Sequence, residues 1–264
     1  VVVPMVAALH GELEPFAGSR PDVAERDAFS LFYDRSSAMI WLQEAVPDAY
    51  PGLWAMNDAG QDGEADIGRG ATRRLWFQVH LTGSLEDDRP LPLQPFLSCI
   101  GDVAERLGTL EVHALQLLVP VHERVATRRE VPRHSAGAVG GLIEAAGWFG
   151  DGDPGLARRV QVTIDTGQDP AVVSAAPGLP AWMRRWKQSF FVCDPASDEG
   201  DAAADLSPQI PDHFWQGPRY HRTSLYGTLG EWSPEALGWL SAFAAEAAWQ
   251  QGVRIPLMIT VRTR

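Results

Sequence analysis

An α+β fold made of two similar halves is predicted, and three observations predict it. The phrase LTGSL at 81–85 returns as LYGTL at 225–229, 144 residues later. Without a gap, the same offset matches Pro90 to Pro234, Leu93 to Leu237, Ala104 to Ala248 and Gly108 to Gly252. Around each copy the apolar pattern runs strand, loop, helix, glycine, strand, and that shared order says more than the identities do. The second half then reads β-α-β-β-α-β, and the first approximates it with a poorly defined first helix; this is the split βαβ or ferredoxin-like order.

Each element has its own local reason. Residues 2–9, VVPMVAAL, are a continuous apolar run and read as a buried strand. FSLFYD at 29–34 reads as a second strand. SSAMIWLQEA at 36–45 reads as a short helix capped by Ser36, and DAGQDGEADIGRG at 58–70 as an acidic loop. RRLWFQVHLT at 73–82 alternates and reads as a strand. PLQPFLSCIGDVAERLG at 92–108 reads as a helix, because Phe96, Ile100, Val103, Ala104 and Leu107 share a face and Gly108 ends it. LEVHALQLLVPV at 110–121 is the next strand.

Residues 122–156 read as an Arg-, Gly- and Pro-rich connector with a short helix near GGLIEAAGW. LARRVQVTID at 156–165 is a strand, and 170–188 is a helix broken at Pro177 and Pro180. SFFVCD at 189–194 is a strand, 195–213 a loop, and YHRTSLYGTL at 220–229 a strand. SPEALGWLSAFAAEAAWQQG at 233–252 is the best helix: Ser233 caps it, Pro234 takes its first position and Gly252 ends it. VRIPLMITVR at 253–262 closes the chain as a strand.

These assignments predict one ferredoxin-like half over 1–121, a connector over 122–156 and a second half over 157–264. A four-stranded antiparallel sheet with helices on one face leaves the other face uncovered. Two such sheets are expected to cover each other as an internal pseudo-dimer.

Composition narrows the class of function. The 264 residues are 45% hydrophobic and 21% charged, an ordinary globular balance. Net charge is −12, which disfavours phosphate backbones, so no nucleic-acid partner is expected and RNA processing is set aside. The acidic stretches at 58–66, 86–88 and 194–205 suit a basic protein partner. One lysine, Lys187, stands against twenty-one arginines, and one asparagine, Asn57, occurs. That bias points to a high-GC bacterial genome. Two cysteines, Cys99 and Cys193, build no disulfide framework, which favours the cytoplasm. VVVPMVAALH lacks a basic start and no stretch is long enough to span a bilayer, so neither secretion signal nor membrane partner is expected.

Two motif matches fail on chemistry. GDGDPG at 150–155 fits a dinucleotide-loop spacing, but its Asp151 and Asp153 repel phosphate and a strand follows it instead of a helix. DAGQDG at 58–63 opens like a calcium loop but has Arg69 where a glutamate ligand belongs. His113 and His122 lack a third ligand, so no metal site is predicted.

The candidate site rests on strand alternation. In 73–82, Leu75, Phe77, Val79 and Leu81 face the helices, while Trp76, Gln78 and His80 face away. In the matching strand Tyr220, Arg222, Ser224 and Tyr226 occupy the equivalent face. Aromatic rings beside hydrogen-bonding groups suit an aromatic or anionic small molecule in a cleft between the halves. There His80 is the acid/base, Arg222 the anion holder and Tyr226 a hydrogen-bond donor, with Trp76, Gln78, Tyr220 and Ser224 binding ligand. The cofactor is unknown; a haem would take His80 or His221 as its axial ligand. Cys99, Cys193, Trp182 and Trp186 read as core. The alternative is a non-catalytic acidic protein that neutralises a toxin or scaffolds a complex by binding a basic protein.

Overall fold

Eight strands form one antiparallel sheet in the computed structural model. The structure describes residues 3–16, 27–41, 54–63, 73–81, 85–86, 90–125, 137–150, 152–195, 206 and 210–264. The first four strands are β1 (Met5–Pro15), β2 (Trp54–Gly63), β3 (Arg73–Leu81) and β5 (Gly108–Val119). The last four are β7 (Arg158–Asp165), β8 (Phe191–Cys193), β9 (Arg222–Leu229) and β10 (Leu257–Thr263). Their order across the sheet is β2-β3-β1-β5-β10-β7-β9-β8, so outward from the junction of β5 with β10 each set of four reads 4-1-3-2 in its own chain order. A two-residue strand β4 (Leu85–Glu86) pairs in parallel with β6 (Arg124–Val125).

Strand alternation sorts the side chains. Met5, Ala7, Leu9, Leu75, Phe77, Val79, Leu115, Leu117, Val162, Ile164, Ile259 and Val261 enter one apolar core beneath the helices. That core runs through both sets of strands. On the opposite face Val6, Leu118 and Met258 form a second cluster with Ile210 and Trp215. The segment 210–221 therefore crosses that face, and it folds back on the turn after β7. Gly167 has a φ of +62, and a Cβ there would meet the Gln216 carbonyl, so this tight clasp requires glycine.

The helices are α1 (Ala28–Ala38), α2 (Leu93–Leu107), α3 (Gly137–Phe149), α4 (Ala171–Ala175), α5 (Leu179–Arg184) and α6 (Pro234–Gln250). α6 is the central one and is buried on every side. The Ser233 hydroxyl accepts the Ala236 amide, Pro234 begins the helix, and Gly252 follows it with a φ of +92. α2 packs against α6 where Gly238 leaves no side chain: a Cβ there would stand 2.6 Å from the Leu93 carbonyl oxygen. α3 docks on α6 through the Trp239 indole, which donates to the Leu142 carbonyl at 2.7 Å.

Five expectations change. FSLFYD lies in a helix: Ala28, Phe32 and Ser36 recur every fourth residue on its buried side. Phe32 seats against Phe77 and Phe96 at 4.8 and 5.7 Å between ring centres. Asp27, not Ser36, caps that helix by accepting the Ser30 amide; residues 42–45 lie outside the described residues. DAGQDG is the second half of β2, in register with β3 from Asp58 opposite Gln78, and 64–70 lie outside the described residues. Backbone pairing with a neighbour does not require apolar side chains, so composition misleads there. Gly108 has a φ of 164, extended backbone rather than a left-handed stop, and β5 starts on it. Gly227 of LYGTL sits inside β9, within the strand expected over 220–229, where Val192 and Phe191 approach too closely for a Cβ.

The fifth change concerns how the sheet is assembled. Two facing sheets were expected; the eight strands instead form one sheet, because β5 and β10 pair edge to edge. Leu115 lies opposite Val261, Gln116 opposite Thr260 and Leu117 opposite Ile259. The pairing satisfies two rows of backbone groups that would otherwise form open edges.

Candidate functional site

Trp76, Gln78 and His80 lie on the face of β3 turned away from the helices, as their alternation predicts. Gln78 is buried and His80 half-buried, opposite Ala55 of β2. Gly60 on β2 makes room for the Trp76 ring, because a Cβ there would lie 3.0 Å from it. Arg222, Ser224 and Tyr226 lie on the same face of β9. Tyr220 precedes that strand and is 69% exposed, with its ring edge-on to His221.

The structure does not bring the two groups together. β1, β5, β10 and β7 stand between β3 and β9. At ~4.8 Å per strand His80 and Arg222 belong to strands ~24 Å apart. One cleft cannot hold both, and the cause is the edge-to-edge junction.

On β9 the polar groups serve the sheet face itself. Gln161 donates to Ser224 at 3.1 Å and to the Tyr226 hydroxyl at 3.4 Å. Thr163 and Ser224 share a hydrogen bond at 3.0 Å, and Arg262 donates to Gln161 at 2.8 Å. The Arg264 guanidinium lies 4.6 Å from the Tyr226 ring centre. Asp165 closes this network at the other end. It is fully buried, accepts the Gly167 amide at 2.7 Å and faces Arg219 at 3.5 Å. Burial pushes its carboxyl up, while the Gly167 and Tyr220 amides and the Arg219 and Arg222 charges pull it down; burial prevails.

The two thiols are unsuited to nucleophilic work. Burial pushes Cys193 up to about 11 and raises Cys99 as well. Among the described residues no group of three His, Cys, Asp or Glu side chains could hold a metal ion. Among them, too, no helix is long and apolar enough to cross a membrane.

A further cavity lies elsewhere. It is an open groove of about 810 Å³ at one end of β5 and β10, between the middle of α2 and the start of α6. Asp102, Glu105, Glu111, Glu231 and Glu235 line it, against the guanidiniums of Arg158 and Arg264. Trp232 forms part of its wall and is held by a 2.8 Å hydrogen bond to the Val112 carbonyl. Asp102 also pairs with Arg35, and Glu235 accepts from Gln94 at 2.9 Å. Sequence reasoning missed this groove. Its carboxylates come from two helices, a strand and a loop, and no local spacing announces them.

The chain matches no protein-family model and no curated protein.

Proposed function

We propose that the protein is a non-catalytic binding protein whose acidic groove takes an Arg- or Lys-bearing segment of a protein partner. One observation carries this reading: among its described lining residues, five carboxylates stand against two guanidiniums in a groove of about 810 Å³, in a chain with a net charge of −12. Such a groove concentrates cations and steers a basic partner toward it. Trp232 offers a guanidinium a flat ring to stack upon. Toxin neutralisation and scaffolding are the roles in which an acidic surface of this kind serves without chemistry.

The scaffold behind the groove we read as an internal duplication of a ferredoxin-like unit. Support comes from the shared 4-1-3-2 order and from the junction, where Gln116 faces Thr260, the residue 144 positions on. The repeat is not gap-free. By sheet position Trp76 of β3 corresponds to Ser224 of β9, four residues off that register.

An arginine hexapeptide tests the binding reading. Glu105→Gln with Glu231→Gln is expected to weaken its binding about tenfold or more at low salt, and added salt should erase the difference. Asp153→Asn, on an exposed turn outside the groove, should leave affinity unchanged. Equal losses in the groove and control variants would sink the idea.

A further inference from the structure

The opposite end of the same central strands holds a second cavity of different chemistry, about 330 Å³ in volume. It forms where β1 and β10 begin and β5 ends, and the segment 213–216 closes it. Phe214, Trp215, Ile255 and Pro256 give it apolar walls. Its charged or titratable lining is Arg254, His122 and His213, with no carboxylate among the described lining residues. In a chain with a net charge of −12, a cavity of that polarity runs against the surrounding field.

Two of its lining residues each carry a buried polar atom with no hydrogen-bond partner among the described residues. The indole N–H of Trp215 is buried without an acceptor, and the residue is 9% exposed. The Nδ1 atom of His122 is likewise buried and unpartnered, while its Nε2 faces Glu123 at 3.2 Å. An indole nitrogen can only donate, so what it lacks is an acceptor. The Arg254 guanidinium is pre-set: it lies 3.5 Å from the Trp249 ring centre and donates to the Val253 carbonyl at 2.9 Å. The ring of His213 lies against Phe214 at 4.2 Å, and the imidazole is exposed at the rim.

We propose that this cavity binds a small organic carboxylate with a flat apolar body, an aromatic monoacid. The ring would lie between Phe214, Ile255 and Pro256. The carboxylate would sit at the Trp215–His213–Arg254 end and supply the acceptor that the indole lacks. A volume near the lower limit for ligand pockets matches a single ring with a short acidic arm, not a nucleotide or a peptide.

Benzoate is the probe, read on the indole N–H signals of the ten ¹⁵N-labelled tryptophans by NMR. The Trp215 signal is identified by its loss in Trp215→Phe. Benzoate is expected to move it saturably, with a dissociation constant of about 1 mM or tighter. Benzyl alcohol, similar in shape but uncharged, is expected to bind about tenfold more weakly. His213→Ala, at an exposed position, should weaken benzoate several-fold; Arg254→Gln should do so more strongly, with circular dichroism confirming its fold. A Trp215 signal that does not saturate, equal affinity for benzyl alcohol, or benzoate affinity unchanged in both variants would overturn the proposal. The acidic groove lies at the other end of β5, so failure here leaves the groove reading standing.

Discussion

Asp165 shows how one residue can hold a sheet face in place. Its carboxylate ties together the turn after β7, through the Gly167 amide, and the crossing segment, through Arg219, which in turn donates to Thr260 at 2.7 Å. Both partners are nearly inaccessible, with side-chain exposures of 0% for Asp165 and 9% for Arg219. Asp165→Ala would leave Arg219 buried without this counter-charge, and chemical denaturation should show a loss of about 3–5 kcal/mol. Asp165→Asn keeps an acceptor for Gly167 and should lose less. Burial raises the folded-state value of Asp165, so the folded chain holds that proton more tightly than the unfolded one. The stability from this linkage is fully present below the unfolded carboxylate value and is lost as pH rises through the raised folded one. The advantage of the wild type over Asp165→Asn should therefore narrow with rising pH; a constant or widening gap would refute it. With Val162 and Ile164 in the core, alternation along β7 turns Asp165 to the opposite face. Nothing local showed that a segment fifty residues on would bury it.

Elements differ in how much of their cause is local. α6 was legible from end to end because Ser233, Pro234 and Gly252 mark both termini in adjacent letters. Ser233→Ala should cost about 1 kcal/mol by loss of the Ala236 bond. Gly238→Ala should cost more, about 1–3 kcal/mol, because the added methyl meets the α2 backbone at Leu93 and Gln94. A thermal shift for Gly238→Ala no larger than that for Ser233→Ala would show that the helices move apart freely. α1 was misread because FSLFYD is rich in aromatic residues, which favour strands, in a segment too short to display a helical period. Its burial every fourth residue appears only with Phe77 and Phe96 in place. β2 was misread for the converse reason: an edge strand needs a neighbour's backbone more than it needs apolar letters.

The whole molecule is organised about the pairing of β5 with β10. One apolar core spans both sets of strands, and α6 packs against both α2 and α3. Equilibrium unfolding should therefore be a single transition, with circular dichroism and tryptophan fluorescence tracing the same curve. Two resolved midpoints would mean that the halves are energetically separate. The same junction disperses the predicted site and opens two cavities, one at each end of the central strands. What neighbouring residues could express was readable in advance: the α+β class, the strands that alternate, the termini of α6, and the faces on which Trp76, His80, Arg222 and Tyr226 stand. Periods of two and of 3.6 residues are local properties, set by backbone geometry wherever the segment ends up. How the halves meet is not local. Edge pairing uses backbone groups that every strand carries, so sequence pattern alone does not distinguish an edge-to-edge junction from two facing sheets. Packing of the assembled core settles it, and with it the distance from His80 to Arg222 and the grouping of carboxylates from α2, β5 and the start of α6.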